Sequence, residues 1–183
     1  MTRIMADPGH GGRDPGAIGR DPFTVREKDV AWTVATLVRG FLPACTVATT
    51  RRQGEFVSLH ERAKRANDFN AVGFLSIHCN AVADPKAHGV EVWHHPSSVE
   101  GRALADCILR AMLSAPLHGP ALENRGLKPS RRLVVLKKTR MPAVLVELPF
   151  LSNAQDLTTL IEPCNQIALA QAIAEGTMNW LQV

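Results

Sequence analysis

Two histidines and two glutamates stand at positions from which side chains could do chemistry. His10 lies in a glycine-rich loop that directly follows a short apolar strand ending at Asp7-Pro8. Proline ends such a strand, and glycine lets the backbone pass close to a bound ion or substrate. His78 and Glu147 each follow a near-continuous apolar run of the kind that forms a buried strand. Glu27 opens a helix that the chain enters from the His10 loop.

Together these side chains would suit a metal-dependent hydrolytic site. Two imidazoles, one carboxylate and a free fourth position make a catalytic zinc site, in which Zn²⁺ binds N and O ligands at about 2.0–2.2 Å. Glu147 would then be a second acid beside the metal. Taken singly, each residue also has a plain structural interpretation: a solvent-exposed loop for His10, a favourable charge at a helix N-terminus for Glu27, and a strand boundary for Glu147.

The order of the predicted elements indicates how these residues could converge. Apolar runs predict strands at residues 3–7, 45–49, 72–77, 89–93, 133–136 and 143–146. Apolar stripes and capping residues predict helices from Glu27, after Ser58, over residues 98–114, after Asn153 and from Pro163 to about Leu181. Residues 119–130 are predicted to be a loop.

Strands that alternate with helices predict an α/β fold. The expected architecture is a three-layer sandwich, in which a mostly parallel twisted sheet of about six strands carries helices on both faces. Ligands of open parallel sheets bind beyond the carboxyl ends of the strands. His10, His78 and Glu147 are therefore predicted to lie along one edge of the sheet, with Glu27 within reach of the same edge.

Length and composition exclude several classes of protein. The 183 residues, 45% of them hydrophobic, predict one domain over residues 1–183. The net charge of +4 favours an anionic partner. Nucleic acid is disfavoured because aromatic residues make up only 5% of the chain, which leaves few stacking surfaces.

No apolar run reaches the ~18–20 residues of a membrane span. A strand that begins at residue 3 leaves no room for a signal peptide, which predicts synthesis in the cytoplasm.

The remaining cysteines and histidines are predicted to be structural. The four cysteines lie far apart without a C-x-x-C pair, so neither a zinc ribbon nor a disulfide framework is indicated, and buried free thiols are expected. The five other histidines lack a matching acid, and we interpret them as structural or solvent-exposed residues: His60, His88, His94, His95 and His118.

Four blocks of the sequence carry a resemblance to a known family. They are DPGHGGRDPGAIG with Glu27-Lys28, then LHERAKRAN, then SIHCNA, and finally VELPFLSN. In this order, and spread over essentially the whole chain, they resemble the zinc-dependent N-acetylmuramoyl-L-alanine amidases of the Amidase_3 family. Two positions depart from the family pattern: Cys79 stands where a small residue such as Ala is usual, and Pro149 where Gly is usual.

The resemblance implies an activity and a set of roles. One Zn²⁺ per chain would be held by His10, Glu27 and His78, with Glu147 as the acid–base residue. The enzyme would hydrolyse the amide between the lactyl group of N-acetylmuramic acid and the L-alanine of the stem peptide of peptidoglycan. Strand alternation turns Cys79 away from a site that His78 faces, so the thiol is not assigned to the metal.

Substrate contacts are predicted at Asn80, which strand alternation places on the same side as His78, and at Arg125 and Lys128, because Arg125-Gly126-Leu127-Lys128 resembles the loop that borders the substrate groove in this family. These two basic residues begin a tract of seven between Arg125 and Arg140, which is either a solvated face or an attraction for anionic wall polymers. Residues 81–88 are too few to hold the helical insertion that blocks the zinc in some relatives. The sequence therefore predicts a permanently open site.

Other interpretations stay open at this stage. A zinc peptidase that acts within the stem peptide would use the same metal chemistry, and a non-catalytic wall-binding module would use the basic tract alone. We expect a monomer that acts on the bacterial cell wall after its release. The setting would be that of a phage or prophage endolysin, or the chain would be a catalytic domain cut from a longer autolysin.

Overall fold

A computed structural model describes residues 1–20 and 24–182. Residues 21–23 and 183, which the predicted domain includes, lie outside this described part. The strands are β1 (Thr2–Pro8), β2 (Ile18–Gly19), β3 (Val25–Arg26), β4 (Cys45–Thr49), β5 (Gly73–Cys79), β6 (Val90–His94), β7 (Asn124–Pro129) and β8 (Ala143–Leu148). The helices are α1 (Glu27–Gly40), α2 (Leu59–Asp68), α3 (Val99–Leu113), α4 (Val134–Lys138), α5 (Ala154–Ile161) and α6 (Pro163–Leu181).

Six of the strands form one sheet in the order β4-β1-β5-β8-β6-β7. β1 pairs in parallel with β4 and β5, and β5 pairs in parallel with β8. β6 runs antiparallel to β8, and β7 is parallel to β6. The mostly parallel sheet of the predicted α/β fold is therefore confirmed.

Apolar side chains on the two faces of the sheet pack against different helices. On one face, Ile4, Leu75 and Ile77 join the cluster formed with α1, α3 and α6. On the other face, Met5 and Phe74 join a smaller cluster under α2 and α4. Strands covered on both faces read as continuous apolar runs, which is why β5 and β8 could be recognised in the sequence.

Capping residues and a proline start the helices α2, α5 and α6 where the sequence predicts them. The Ser58 hydroxyl accepts a hydrogen bond from the Glu61 N–H at the start of α2. The Asn153 side chain accepts bonds from Gln155 and Asp156 at the start of α5. Each cap satisfies backbone donors that have no partner within their helix. Pro163 occupies the first turn of α6, where its missing N–H costs nothing.

Two sequence-based assignments are wrong. Residues 119–130 are not all loop, because Asn124–Pro129 forms β7 at the sheet edge. Its sequence, NRGLKP, has no apolar alternation that would predict a strand. The strand is held instead by backbone pairing with β6, and it includes Gly126 at φ +82°. Residues 133–136 are not a strand. The segment starts the short helix α4, which buries Val135 and Leu136 against α2, a tertiary contact that overrides β propensity.

The cysteine expectation is only partly met. All four thiols are free, but Cys79 alone is buried, Cys45 and Cys107 are half-buried, and Cys164 is exposed. The exposure of Cys164 follows from its place in the first turn of α6, on the solvent side of that helix. Over the residues that the structure describes, no helix combines the length and apolar character needed to cross a bilayer.

Candidate active site

The loop after β1 presents His10 at the carboxyl edge of the sheet. Gly9 N–H donates to the Ile77 carbonyl at 2.9 Å, which ties the loop to the end of β5. Gly11 and Asp14 exchange backbone hydrogen bonds of 3.0 Å each, which closes a tight turn. The carboxylate of Asp14 lies 2.8 Å from His10 Nδ1 and accepts a hydrogen bond there. His10 Nε2 is thereby left as the free donor atom, facing Glu27.

One donor atom from each of three residues comes together at this edge. His10 Nε2 lies 3.0 Å from Glu27 Oε1, and His78 Nδ1 lies 2.8 Å from the same oxygen. All three donor atoms lie within 4.8 Å of one another. The two imidazole rings meet edge to face, with centroids 5.0 Å apart. The structure thus brings together the three residues that the sequence places in a metal site.

Glu27 is the most strongly fixed member of the group. It stands at the first turn of α1, and its Oε2 accepts a hydrogen bond of 2.8 Å from Ala17 N–H. Its Oε1 accepts one of 3.1 Å from Cys79 N–H. Burial opposes ionisation, but hydrogen bonds with His10 and His78 outweigh it and hold the pKa of this carboxyl well below its usual value. Glu27 is therefore an ionised carboxylate with a fixed orientation.

The chemistry of the donor set fits a divalent metal ion. Two imidazole nitrogens and one carboxylate oxygen are ligands that Zn²⁺ takes in catalytic sites, where a fourth position stays open. Asp14 supplies the hydrogen bond that metal-bound histidines usually make through their other ring nitrogen. The residues present therefore suit zinc.

Two glycines leave room for the side chains of His10, Glu27 and His78. A Cβ at Gly9 would lie 2.4–2.7 Å from three atoms of the His78 ring. Gly16 has φ +66°, and a Cβ there would lie 2.5 Å from Glu27 Oε2 and 2.6 Å from His10 Cδ2. Any larger residue at either position would displace a donor group.

We expect Gly9→Ala to weaken zinc binding by about 10-fold or more, the effect usual for disturbed support of a metal ligand. The added methyl would push the His78 ring out of place. Competition with a chromophoric chelator measures the change. Gly40→Ala is the control, since a Cβ at Gly40 meets nothing within 4 Å among the described residues. Equal affinities in the two variants would contradict the tight packing of Gly9 on His78.

Glu147 lies beside this group on the neighbouring strand. In the β5–β8 pair it stands directly opposite His78, and in the β8–β6 pair opposite Glu91. Burial raises the pKa of Glu147 well above its usual value, and the charges of Glu27 and Glu91 add to the effect. Within the described part of the chain, its buried Oε2 has no hydrogen-bond partner. A carboxyl in this state can hold and release a proton.

Glu147 also lines a groove of about 720 Å³. The apolar wall includes Trp93 and Leu133, and the basic wall includes Arg131 and Arg132. The groove opens to solvent and Glu147 contributes to its lining, so a peptide chain lying in the groove would contact this side chain.

The three predicted substrate contacts lie elsewhere on this edge. Arg125 Nε donates to Glu91 Oε2 at 3.0 Å, and its guanidinium packs 4.8 Å above the ring of Phe150. Lys128 is half-buried on β7, opposite Trp93 of β6. Asn80 bridges two chain segments through its backbone, which bonds to Leu148 O and Leu151 N. The described residues that line the groove include none of the three.

Sequence reasoning missed the residues that support the ligands. Asp14 offers one signal in retrospect, since it is a carboxylate four residues after His10 in the same turn. Arg62 offers another, because it falls on the helix face that Ala63 and Ala66 mark as apolar, and a cation there implies a buried partner. Arg51 carries no comparable signal. Cys79 belongs to the apolar core, as strand alternation predicts.

Comparison with known proteins identifies similar chains. The family model Amidase_3, N-acetylmuramoyl-L-alanine amidase, matches residues 4–179. The "Probable cell wall amidase LytH" of Staphylococcus aureus is 35% identical over 176 residues, which cover 94% of this chain and 56% of that protein. The chain thus spans about half the length of the curated relatives it matches.

Solved structures of amidases share the whole fold. The N-acetylmuramoyl-L-alanine amidase AmiC2 of Nostoc punctiforme superposes with a TM-score of 0.91 at 34% identity, over 100% of this chain and 98% of that one. The catalytic domain of CwlV, an N-acetylmuramoyl-L-alanine amidase from Bacillus (Paenibacillus) polymyxa var. colistinus, gives a TM-score of 0.88 at 32% identity, over 100% and 99% of the two chains.

Proposed function

The chain belongs to the Amidase_3 family of N-acetylmuramoyl-L-alanine amidases, and from this premise we propose that it cleaves peptidoglycan at the amide between N-acetylmuramic acid and the L-alanine of the stem peptide. The observation that carries the proposal is the convergence of His10, Glu27 and His78 on one point, with Glu147 on the adjacent strand. Residues 1–183 would act as one catalytic domain that binds one Zn²⁺.

In this proposal His10 Nε2, His78 Nδ1 and the Glu27 carboxylate hold the ion, and Asp14 keeps His10 in the required tautomer. Zinc held there would supply Lewis-acid chemistry, namely polarisation of the scissile carbonyl and activation of water near neutral pH. Glu147 accepts the proton of the attacking water and returns it to the departing L-alanine nitrogen. Its raised pKa favours the second transfer, without which the amine would leave as an anion.

The groove beside Glu147 would receive the stem peptide. Its apolar wall at Trp93 suits the alanine side chain, and Arg131 and Arg132 suit the carboxylates of an acidic peptide. Arg125 would support the groove through its ion pair with Glu91. Asn80 and Lys128 stay proposed contacts of the substrate.

The double variant Arg131→Gln, Arg132→Gln should bind purified peptidoglycan about fivefold more weakly at low salt, since each exposed charge pair contributes about 0.5 kcal/mol. Its binding should also depend less on salt. Sedimentation with cell walls at two salt concentrations measures both effects. Lys137→Gln, Lys138→Gln removes the same charge from exposed residues of α4 that do not line this groove. An equal loss in both double variants would point to a general solvated face.

Product analysis tests the proposed bond cleavage. The amidase reaction frees the amino terminus of L-alanine and no new sugar reducing ends. A zinc peptidase would free amino termini within the stem peptide, and a wall-binding module would free neither and would be indifferent to chelators. Either result would overturn the proposed reaction. The endolysin setting and the monomeric state stay predictions from the sequence.

A further inference from the structure

Cationic side chains bind the backbone of the loop that carries His10. The carbonyls of residues 8–12 all accept hydrogen bonds. The Gly11 carbonyl accepts one from Asp14 N–H at 3.0 Å. The other four carbonyls accept from three cationic side chains. Arg51 donates to the carbonyls of Pro8 and Gly9, at 3.0 Å each. Arg62 donates to the carbonyls of Pro8 (2.5 Å) and His10, and Lys28 donates to that of Gly12 (2.8 Å). We call Arg51, Arg62 and Lys28 the loop clamp.

Two members of the loop clamp are buried. Arg51 and Arg62 are each only 2% exposed. Arg62 is anchored by the buried carboxylate of Asp7 at 2.8 Å, which also accepts from Ser76 at 2.7 Å. Arg51 packs over the ring of Trp32 at 5.4 Å. Burial of a guanidinium costs free energy unless its donors are satisfied, so the bonds to the loop are needed in the folded state.

The loop needs such support because its backbone is strained. His10 has φ +56°, a left-handed conformation that costs a residue with a Cβ about 1–2 kcal/mol. Such strain persists only where the surroundings hold it. The Arg62 guanidinium bonds directly to the His10 carbonyl. The clamp therefore acts on the backbone of His10, as Asp14 acts on its ring.

We propose that Arg51, Arg62 and Lys28 are positioning residues for the metal site. They hold the loop in the one conformation that places His10 Nε2 beside Glu27 and His78, although none of the three is a member of the ligand group. A site ordered before the ion arrives loses less entropy on binding. The inference rests on the proposed metal-binding role of His10.

The test compares zinc affinity with folding in the full chain. Arg51→Lys and Arg62→Lys keep the charge but cannot bond two carbonyls with a rigid fork. We expect each to bind zinc about 10-fold more weakly, as measured by competition with a chromophoric chelator. The absorption spectrum of the cobalt-loaded variants should shift with the changed ligand geometry. Thermal unfolding of the metal-free proteins shows how much folding itself is affected.

Two further variants make the outcome decisive. Lys28→Met removes one contact of a half-buried side chain, so the test does not depend on replacing a buried arginine. Arg65→Lys is the control, since Arg65 is the next arginine on α2 and its hydrogen bonds go to Thr50, Glu55 and Glu61, not to a carbonyl of residues 8–12. A structural role alone would lower the unfolding temperature and leave zinc affinity and the cobalt spectrum unchanged.

The proposal is overturned if the folded clamp variants bind zinc as tightly as the wild type and Arg65→Lys do. Failure of the wild type to bind zinc would instead overturn the proposed metal site. The two failures are thus distinguishable in one set of measurements.

Discussion

Glu147→Gln should lower the turnover of peptidoglycan by about 10²- to 10⁴-fold, the usual contribution of a positioned acid–base group. Glutamine keeps the shape of the side chain but cannot take up and return a proton. Zinc content should be unchanged, because Glu147 is not one of the three clustered donors. Release of dye-labelled wall fragments measures turnover, and metal analysis measures zinc.

The free energy of unfolding of Glu147→Gln shows whether lost turnover reflects lost chemistry or lost folding. Oε2 of the wild-type carboxyl is buried and has no partner among the residues described, so neutralising the carboxyl costs no ion pair. The free energy of unfolding should therefore equal or exceed that of the wild type. Asp156→Asn is the matched control, because Asp156 is a buried carboxyl outside this group that accepts hydrogen bonds from Gly89 N–H and Phe150 N–H. Near-native turnover of Glu147→Gln would remove Glu147 from the acid–base role.

His10→Ala and His78→Ala should each abolish turnover and weaken zinc binding by more than about 100-fold, beyond the range for supporting residues. Each change removes one of the two imidazoles of the proposed metal site. Chelation of the wild-type enzyme should likewise abolish turnover, and added zinc should restore it. Chelator competition and a wall-release assay measure the two effects.

His94→Ala controls for the loss of a buried imidazole. His94 is buried at the end of β6, where its Nδ1 bonds to the His95 carbonyl, and it is not a member of the metal-binding group found among the described residues. This variant should keep zinc affinity whatever its stability. Equal loss of zinc in His94→Ala and His78→Ala would mean that the fold, and not the ligand, had been removed.

The sequence was sufficient for the fold class and for bringing the ligand candidates to one edge. Buried parallel strands leave continuous apolar runs, so the positions of His78 and Glu147 near the ends of β5 and β8 could be read directly. The edge strand β7 and the helix α4 could not be predicted from the sequence. Their conformations depend on pairing with β6 and packing on α2, which local propensity does not encode.

The support of the site was less predictable than its ligands. Asp14 could have been inferred from its spacing to His10, but the burial of Arg51 and Arg62 follows only from the folded loop. A charged residue usually lies on the surface, and sequence alone does not show that backbone carbonyls will satisfy it. The ligand chemistry was therefore visible in the sequence, whereas the geometry that organises it was not.

The most direct test is a crystal structure of the zinc-loaded protein with anomalous data at the zinc edge. We predict one peak, at about 2.0–2.2 Å from His10 Nε2, His78 Nδ1 and a Glu27 carboxylate oxygen. A zinc ion bound by other residues, or no bound zinc at these three side chains, would contradict the account.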